Sequence, residues 1–332
     1  MSKIIKNAGF VSKIAAANLL GKRYPLSVTF ISTYRCNFTC DYCDVWRFKE
    51  KEMTTNEVVS MIDEFKSLGM KRFSFNGGEP LLRDDLGELI SHCRKRGVFT
   101  TMFSNGSLVA KNTGKLKDLD ILVISLDGPA EVHDRQRMAN THDSVIEGIK
   151  AARAAGITVW TNTVITRDNL DYLPDLVENA GTLGVKMIFQ PVLNYSHSSE
   201  ESRITGLSSE NKEYTDAIDR LKRLKKKGAP IVHSLEYLDY IKVPVWAVNK
   251  RKCWAARLYC AVTPTGDVAP CYPIFNSRKW PNGLEKGFGS AFMELVDRFS
   301  CNGCYCALVE SDFLYSFRIG AVLNLLKSIE AA

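Results

Sequence analysis

Between residues 26 and 195 the chain alternates short, β-branched apolar runs with stretches of helical periodicity. Strand-like runs fall at 27–32, 72–76, 98–103, 121–126, 158–165 and 186–191. Helical patterns lie between them at about 55–68, 84–96, 143–155 and 169–183, and the interval near 111–117 is too short to assign a helix firmly. Alternating β and α units imply a parallel sheet with right-handed crossovers. The pattern therefore predicts an α/β fold, a partial (β/α)6 TIM-type barrel, with chemistry at the C-terminal ends of its strands. Both ends of the chain carry further helical spacing. Ile4, Ala8, Val11, Ala15 and Leu19 share one predicted face, and Leu314, Phe317, Ala321, Leu325 and Ile329 another. The two ends read as amphipathic helices that pack on the core or on a partner copy, or that lie on a membrane surface.

Composition narrows the class. The 332 residues are 45% apolar and 24% charged, as in a soluble globular protein. No apolar run reaches the ~18–20 residues of a membrane span, and the N-terminus lacks a secretory h-region. A cytoplasmic protein is expected, with peripheral membrane association as a second expectation. The net charge of +7 is uneven: residues 1–40 hold Lys3, Lys6, Lys13, Lys22, Arg23 and Arg35 and no acid, and a basic run spans Arg220 to Lys227. Such faces can attract nucleic acid, anionic lipid or acidic substrates, although a merely solvated face is the commoner explanation. The ten cysteines cluster, which in a signal-free chain points to metal binding rather than disulfides.

The first cluster is Cys36, Cys40 and Cys43, a C-x3-C-x2-C loop just after the first predicted strand. Three thiolates can hold one corner of a [4Fe–4S] cube and leave the fourth iron open, whereas zinc loops favour paired C-x2-C sets. Later strand ends carry Gly77-Gly78-Glu79-Pro80, then Ser104-Asn105-Gly106, then Ser125-Leu126-Asp127-Gly128-Pro129 followed by His133, Asp134 and Arg137. Glycine pairs let a backbone approach a ligand closely, and Asp127 before Gly128 also suits an ordinary Asx turn. Taken in order, these motifs resemble the radical S-adenosylmethionine (radical SAM) superfamily over residues 26–195. The resemblance implies a SAM-binding [4Fe–4S] cluster on Cys36, Cys40 and Cys43. It also implies SAM contacts from Tyr42, Gly77, Gly78, Glu79, Pro80, Asn105, Ser125, Asp127 and Arg137.

A second cysteine set follows residue 230: Cys253, Cys260, Cys271, Cys301, Cys304 and Cys306. Val262-Thr263-Pro264-Thr265-Gly266-Asp267-Val268 reads as a tight β-hairpin that brings flanking cysteines together. Spacing alone leaves zinc and iron–sulfur equally open here. The region resembles a twitch or shortened SPASM domain, which implies one auxiliary [4Fe–4S] cluster with Cys253, Cys271, Cys301 and Cys304 as ligands. Cys260 and Cys306 are left as further ligands or as hydrogen-donor thiols, and Cys93 reads as an inert buried thiol.

The expected organisation is an N-terminal basic helix (1–25), the barrel (26–228), the auxiliary-cluster domain (229–310) and a C-terminal amphipathic helix (311–332). The resemblance implies reductive cleavage of SAM to a 5′-deoxyadenosyl radical that abstracts hydrogen from an unactivated carbon. Peptide, lipid and small-molecule substrates stay open, and an electron donor such as flavodoxin or ferredoxin is implied. The alternative is a non-catalytic iron–sulfur or zinc protein binding nucleic acid or a membrane through its basic patches. The motif constellation, and the lack of clustered aromatics and Arg near those patches, argue against nucleic acid.

Overall fold

The computed structural model describes residues 8–192, 211–243, 252–295, 304, 306, 308–322 and 324. After α1 (Ala8–Leu20) come β1 (Ser27–Ile31), α2 (Thr55–Ser67), β2 (Arg72–Asn76), α3 (Leu86–Lys95) and β3 (Phe99–Ser104). The alternation continues with α4 (Val109–Asn112), β4 (Ile121–Ser125), α5 (Ala130–Gln136), α6 (His142–Ala154), β5 (Val159–Ile165), α7 (Leu173–Leu183) and β6 (Lys186–Pro191). The predicted strands match to within a residue or two at each end. The interval near 111–117 holds the end of α4 and a 3-10 turn, Thr113–Leu116. Local chemistry sets the boundaries. Thr54 caps α2 in a reciprocal capping box with Glu57, and Gly184 ends α7 in the left-handed conformation that costs glycine least.

β1 to β6 pair in parallel in chain order. Side chains alternate across each strand. Val28, Phe30, Phe73 and Phe75 are fully buried in one core with Val58, Met61 and Phe65 of α2. The intervening Ser27, Thr29, Arg72, Ser74 and Asn76 face a cavity inside the sheet. β1 and β6 lie far apart in the strand order, yet Ser27 and Gln190 line that same cavity, so the sheet curls into a partial barrel.

The hairpin forms where predicted, but as part of the barrel sheet. After α8 (Lys212–Lys226) and α9 (Leu235–Ile241), β7 (Tyr259–Val262) pairs in parallel with β1, with Val28 opposite Cys260. β8 (Val268–Ala269) returns antiparallel to it, completing an eight-stranded order β6-β5-β4-β3-β2-β1-β7-β8. Backbone pairing therefore crosses the boundary expected at 228/229, and Ile231 also bridges to Met187 of β6. The chain then forms α10 (Gly283–Lys286), α11 (Phe288–Glu294) and α12 (Leu308–Tyr315). Glu64 of α2 fastens α11 by accepting from Phe288 N and Gly289 N, each at 2.8 Å.

The terminal faces differ from expectation. Phe10, Ile14 and Ala17 are the buried face of α1, whereas Val11 and Leu19 are 45% and 82% exposed. The phase follows the aromatic: Phe10 sits edge-on to Tyr315 at 6.2 Å and joins a core with Leu26, Trp254 and Leu258. Lys13 Nζ donates to Leu68 O and the Asn18 amide to Tyr315 O. α12 stops at Tyr315 and Phe317 takes a positive φ of 55°, so Leu314 and Phe317 do not share a helical face. Lys3, Ile4, Lys6, Leu325 and Ile329 lie outside the described residues. Among the described residues no helix is long and apolar enough to cross a membrane.

Candidate active site at the strand ends

The barrel encloses a cavity of about 260 Å³. Cys36, Cys40, Tyr42 and Cys43 form one wall, and Gly77, Gly78, Asn105, Ser125 and Arg137 face them. Tyr272, Pro273, Cys306 and Leu308, from the chain's second half, also line the cavity.

Burial dominates the chemistry of the three loop thiols. It pushes Cys36 up to about 11, partly offset by the Phe38 amide that donates to its sulfur at 3.4 Å. It pushes Cys40 up to about 12, against the nearby Arg137 charge, and raises Cys43 as well. Free of metal, all three are thiols at neutral pH, and any metal that binds must displace their protons. Three soft sulfur donors on one wall fit an iron–sulfur corner. Among the described residues no three His, Cys, Asp or Glu side chains close around a single ion. A cube does not require that, since each thiolate binds a different iron.

The sequence motifs divide into residues that face the cavity and residues that hold those in place. Asp127, expected among the cofactor contacts, does not itself line the cavity and belongs to the second kind. It is fully buried, and its Oδ2 accepts from Tyr42 Oη at 2.6 Å and Arg137 Nε at 2.7 Å. Its Oδ1 accepts from Val164 N at 2.8 Å. One carboxylate thus ties the cysteine loop, α5's end and β5 together. His133 accepts from Asp127 N, and burial, with the Arg137 charge second, lowers it to about 4.

Glu79 is likewise buried behind the wall, accepting from Leu81 N, Ser104 Oγ and Asn105 N. Burial pushes its carboxyl up to about 7 despite those donors. Pro80 starts the following 3-10 turn and does not line the cavity. The glycine pair serves a close approach to the chain itself. A Cβ on Gly77 would lie 2.4 Å from Thr33 O, and one on Gly78 2.2 Å from Arg35 O. Asn105 reaches across to the cysteine loop, donating to Asn37 Oδ1 at 2.8 Å.

The second cysteine set gathers around Tyr259. Cys253 Sγ lies 3.5 Å from the Tyr259 hydroxyl, and Cys271, Cys306 and Cys304 also act electrostatically on it. The Cys304 and Cys306 sulfurs are 3.3 Å apart. Cys260, one residue on in β7, points to the opposite face and is packed in the main core, away from these thiols and from the cavity. Cys301 lies outside the described residues. Cys93 is buried in α3.

The Radical SAM superfamily matches residues 30–180, a span that holds all four strand-end motifs. The chain belongs to the radical SAM superfamily. Among curated relatives, an AdoMet-dependent heme synthase of Oleidesulfovibrio alaskensis is 28% identical over 72% of the chain and 67% of that protein. A PqqA peptide cyclase of Bradyrhizobium diazoefficiens is 27% identical over 75% of the chain and 67% of that protein. Two solved structures share the fold. Streptococcus suis SuiB bound to the precursor peptide SuiA has a TM-score of 0.67 at 15% identity, covering 90% of this chain and 73% of its own. Native anSMEcpe with bound AdoMet has 0.67 at 18%, covering 92% and 100%.

The sequence reading of this radical SAM enzyme missed the polar inner face of its barrel. Thr29, Ser74, Asn162 and Gln190 all line the cavity. The signal was present as period-two polar residues, Ser27-x-Thr29 and Arg72-x-Ser74-x-Asn76, inside otherwise apolar strands. Parallel strands covered on both faces are usually continuously apolar, so such alternation marks a wet interior.

Proposed function

We propose that a [4Fe–4S] cluster on Cys36, Cys40 and Cys43 binds SAM, and that a peptide is the molecule modified. When bound, that pair supplies reductive cleavage of SAM and hydrogen abstraction from an unactivated carbon. The observation that carries the reading is the cavity shared by the three thiols, Gly77, Gly78, Asn105, Ser125 and Arg137. Arg137 stays fixed against Asp127 while its side chain faces the cavity. Tyr272, Pro273 and Leu308 add to the lining, with Tyr272 near Cys36 and Cys43, which favours exclusion of water from a reactive intermediate.

The peptide is supported by the names of the PqqA peptide cyclases and by SuiB's bound precursor. The heme synthase, and an Fe-coproporphyrin III synthase of Methanosarcina barkeri 30% identical over 212 residues, support a porphyrin as the second reading. One auxiliary [4Fe–4S] cluster is proposed on Cys253, Cys271, Cys301 and Cys304, with Cys306 as a further ligand, supported by the gathering of Cys253, Cys271, Cys304 and Cys306 around Tyr259 and by the 3.3 Å between the Cys304 and Cys306 sulfurs. Electrons come from a flavodoxin or ferredoxin in this reading, and dithionite substitutes for it in vitro.

Iron and sulfide counts after anaerobic reconstitution test the cluster assignment. Two cubes give about eight irons per chain. Cys306→Ala should lower that number and Cys260→Ala should not. About four irons in the unaltered chain, or an equal loss in both variants, would remove the auxiliary site. Incubation with candidate peptides, SAM and dithionite, followed by mass spectrometry, tests the substrate.

A further inference from the structure

Arg72 opens β2, at the end of the barrel opposite the cysteine loop, and its side chain lines the cavity. Its guanidinium makes no hydrogen bond or ion pair with any described residue and lies within electrostatic reach of Tyr315. Arginine keeps its charge inside proteins. Arg72 is half-buried, and a charge drawn partly out of water without a counter-ion is costly. The described residues that line the cavity include no Asp or Glu. The second lining arginine, Arg137, already has Asp127. Ser27 stands beside Arg72 in register and Thr29 beside Ser74. Both side chains line the cavity from residues more than nine-tenths buried. Among the described residues neither hydroxyl has a hydrogen-bond partner. The floor therefore presents a guanidinium fork and two hydroxyl groups that no carboxylate among the described lining residues receives.

We propose that Arg72, with Ser27 and Thr29, binds a carboxylate of the substrate at the barrel floor. The planar fork of arginine matches a carboxylate in a bidentate pair. The carboxylate of SAM does not reach it. The cofactor motifs sit at strand ends, and Asn76 is four residues, or ~13 Å of strand, above Arg72. The floor is sealed from behind, since Tyr315 packs with Phe10 and Ile14 of α1, so the anion must enter from the cavity side. The inference deepens the proposed function and rests on its placing the substrate in this cavity. It selects substrates with an acidic side chain or another carboxylate aimed down the barrel.

The test uses the reconstituted, SAM-bound enzyme, so that the cofactor's own carboxylate site is filled. Propionate, neutral propionamide and inorganic phosphate are titrated as probes by calorimetry. Charge-assisted hydrogen bonds predict propionate binding ~10–100-fold tighter than propionamide. That ratio falls towards one in Arg72→Met and is partly kept in Arg72→Lys, with SAM affinity unchanged in both. Equal binding of propionate and propionamide by the unaltered enzyme overturns the proposal without any variant. So does undiminished discrimination in Arg72→Met. Phosphate binding tighter than propionate overturns the carboxylate assignment. Carboxylate discrimination in an enzyme that fails to cleave SAM leaves this site standing and sinks the proposed function instead.

Discussion

Asp127→Asn is the substitution whose cost the structure specifies most closely. The native carboxylate is fully buried and accepts from Tyr42, Arg137 and Val164 N at 2.6, 2.7 and 2.8 Å. Asparagine can keep the Val164 bond through its carbonyl oxygen. Its NH2 group then faces the Arg137 and Tyr42 donors, and the guanidinium loses its counter-charge. Breaking one side of a buried ion pair costs about 3–5 kcal/mol. Arg137→Met alone should cost a similar amount. The double variant removes both charges, so its cost should fall short of the sum by about 2–3 kcal/mol. Urea unfolding of the metal-free protein, followed by circular dichroism, measures all three. Tyr42 lies between Cys40 and Cys43, so the single variant should also lose iron faster after reconstitution. A cost below about 1 kcal/mol for Asp127→Asn, or additive single costs, would refute the claim that this carboxylate anchors the cysteine loop.

Other outcomes follow from individual residues. Glu79 has a folded value raised from 4.5 to about 7, so it stabilises the fold less as pH rises through that window. Glu79→Gln should therefore gain on the native chain between pH 4.5 and 7, by up to about 3 kcal/mol, in pH-dependent unfolding; a flat difference would contradict the buried carboxyl. His133 is lowered from 6.5 to about 4, the opposite case: its contribution is present above pH 6.5 and lost as pH falls to 4. His133→Asn should remove that acid sensitivity. Gly78→Ala meets Arg35 O at 2.2 Å, backbone against backbone, and should lower both stability and iron content. A tolerated alanine there would show that the two loops move apart readily.

The barrel was legible in the sequence because its strands are short β-branched runs separated by well-capped helices such as α2. Motif positions were legible for the same reason, since each follows a strand. Their division of labour was not. Glu79 and Asp127 stand in the motifs beside residues that face the cavity, yet each points back into the protein and ties loops together, a matter of side-chain direction that spacing does not carry. The phase of α1 was misread because Phe10 docks on Tyr315, a partner over three hundred residues away in the chain. Cys260 and Cys306 looked equivalent as spare thiols. Strand alternation at Tyr259 separates them, and that alternation required knowing that β7 pairs with β1. Arg72 and its polar neighbours were visible as period-two positions but carried no motif to draw attention to them.

The central claim is that the Cys36, Cys40 and Cys43 wall, with the strand-end loops facing it, is a SAM-cleaving centre. The direct measurement is 5′-deoxyadenosine release from SAM by the anaerobically reconstituted protein with dithionite. The account predicts its formation by the unaltered chain and its loss in Cys40→Ala. No 5′-deoxyadenosine from an iron-replete protein, or equal amounts from Cys40→Ala, would contradict it.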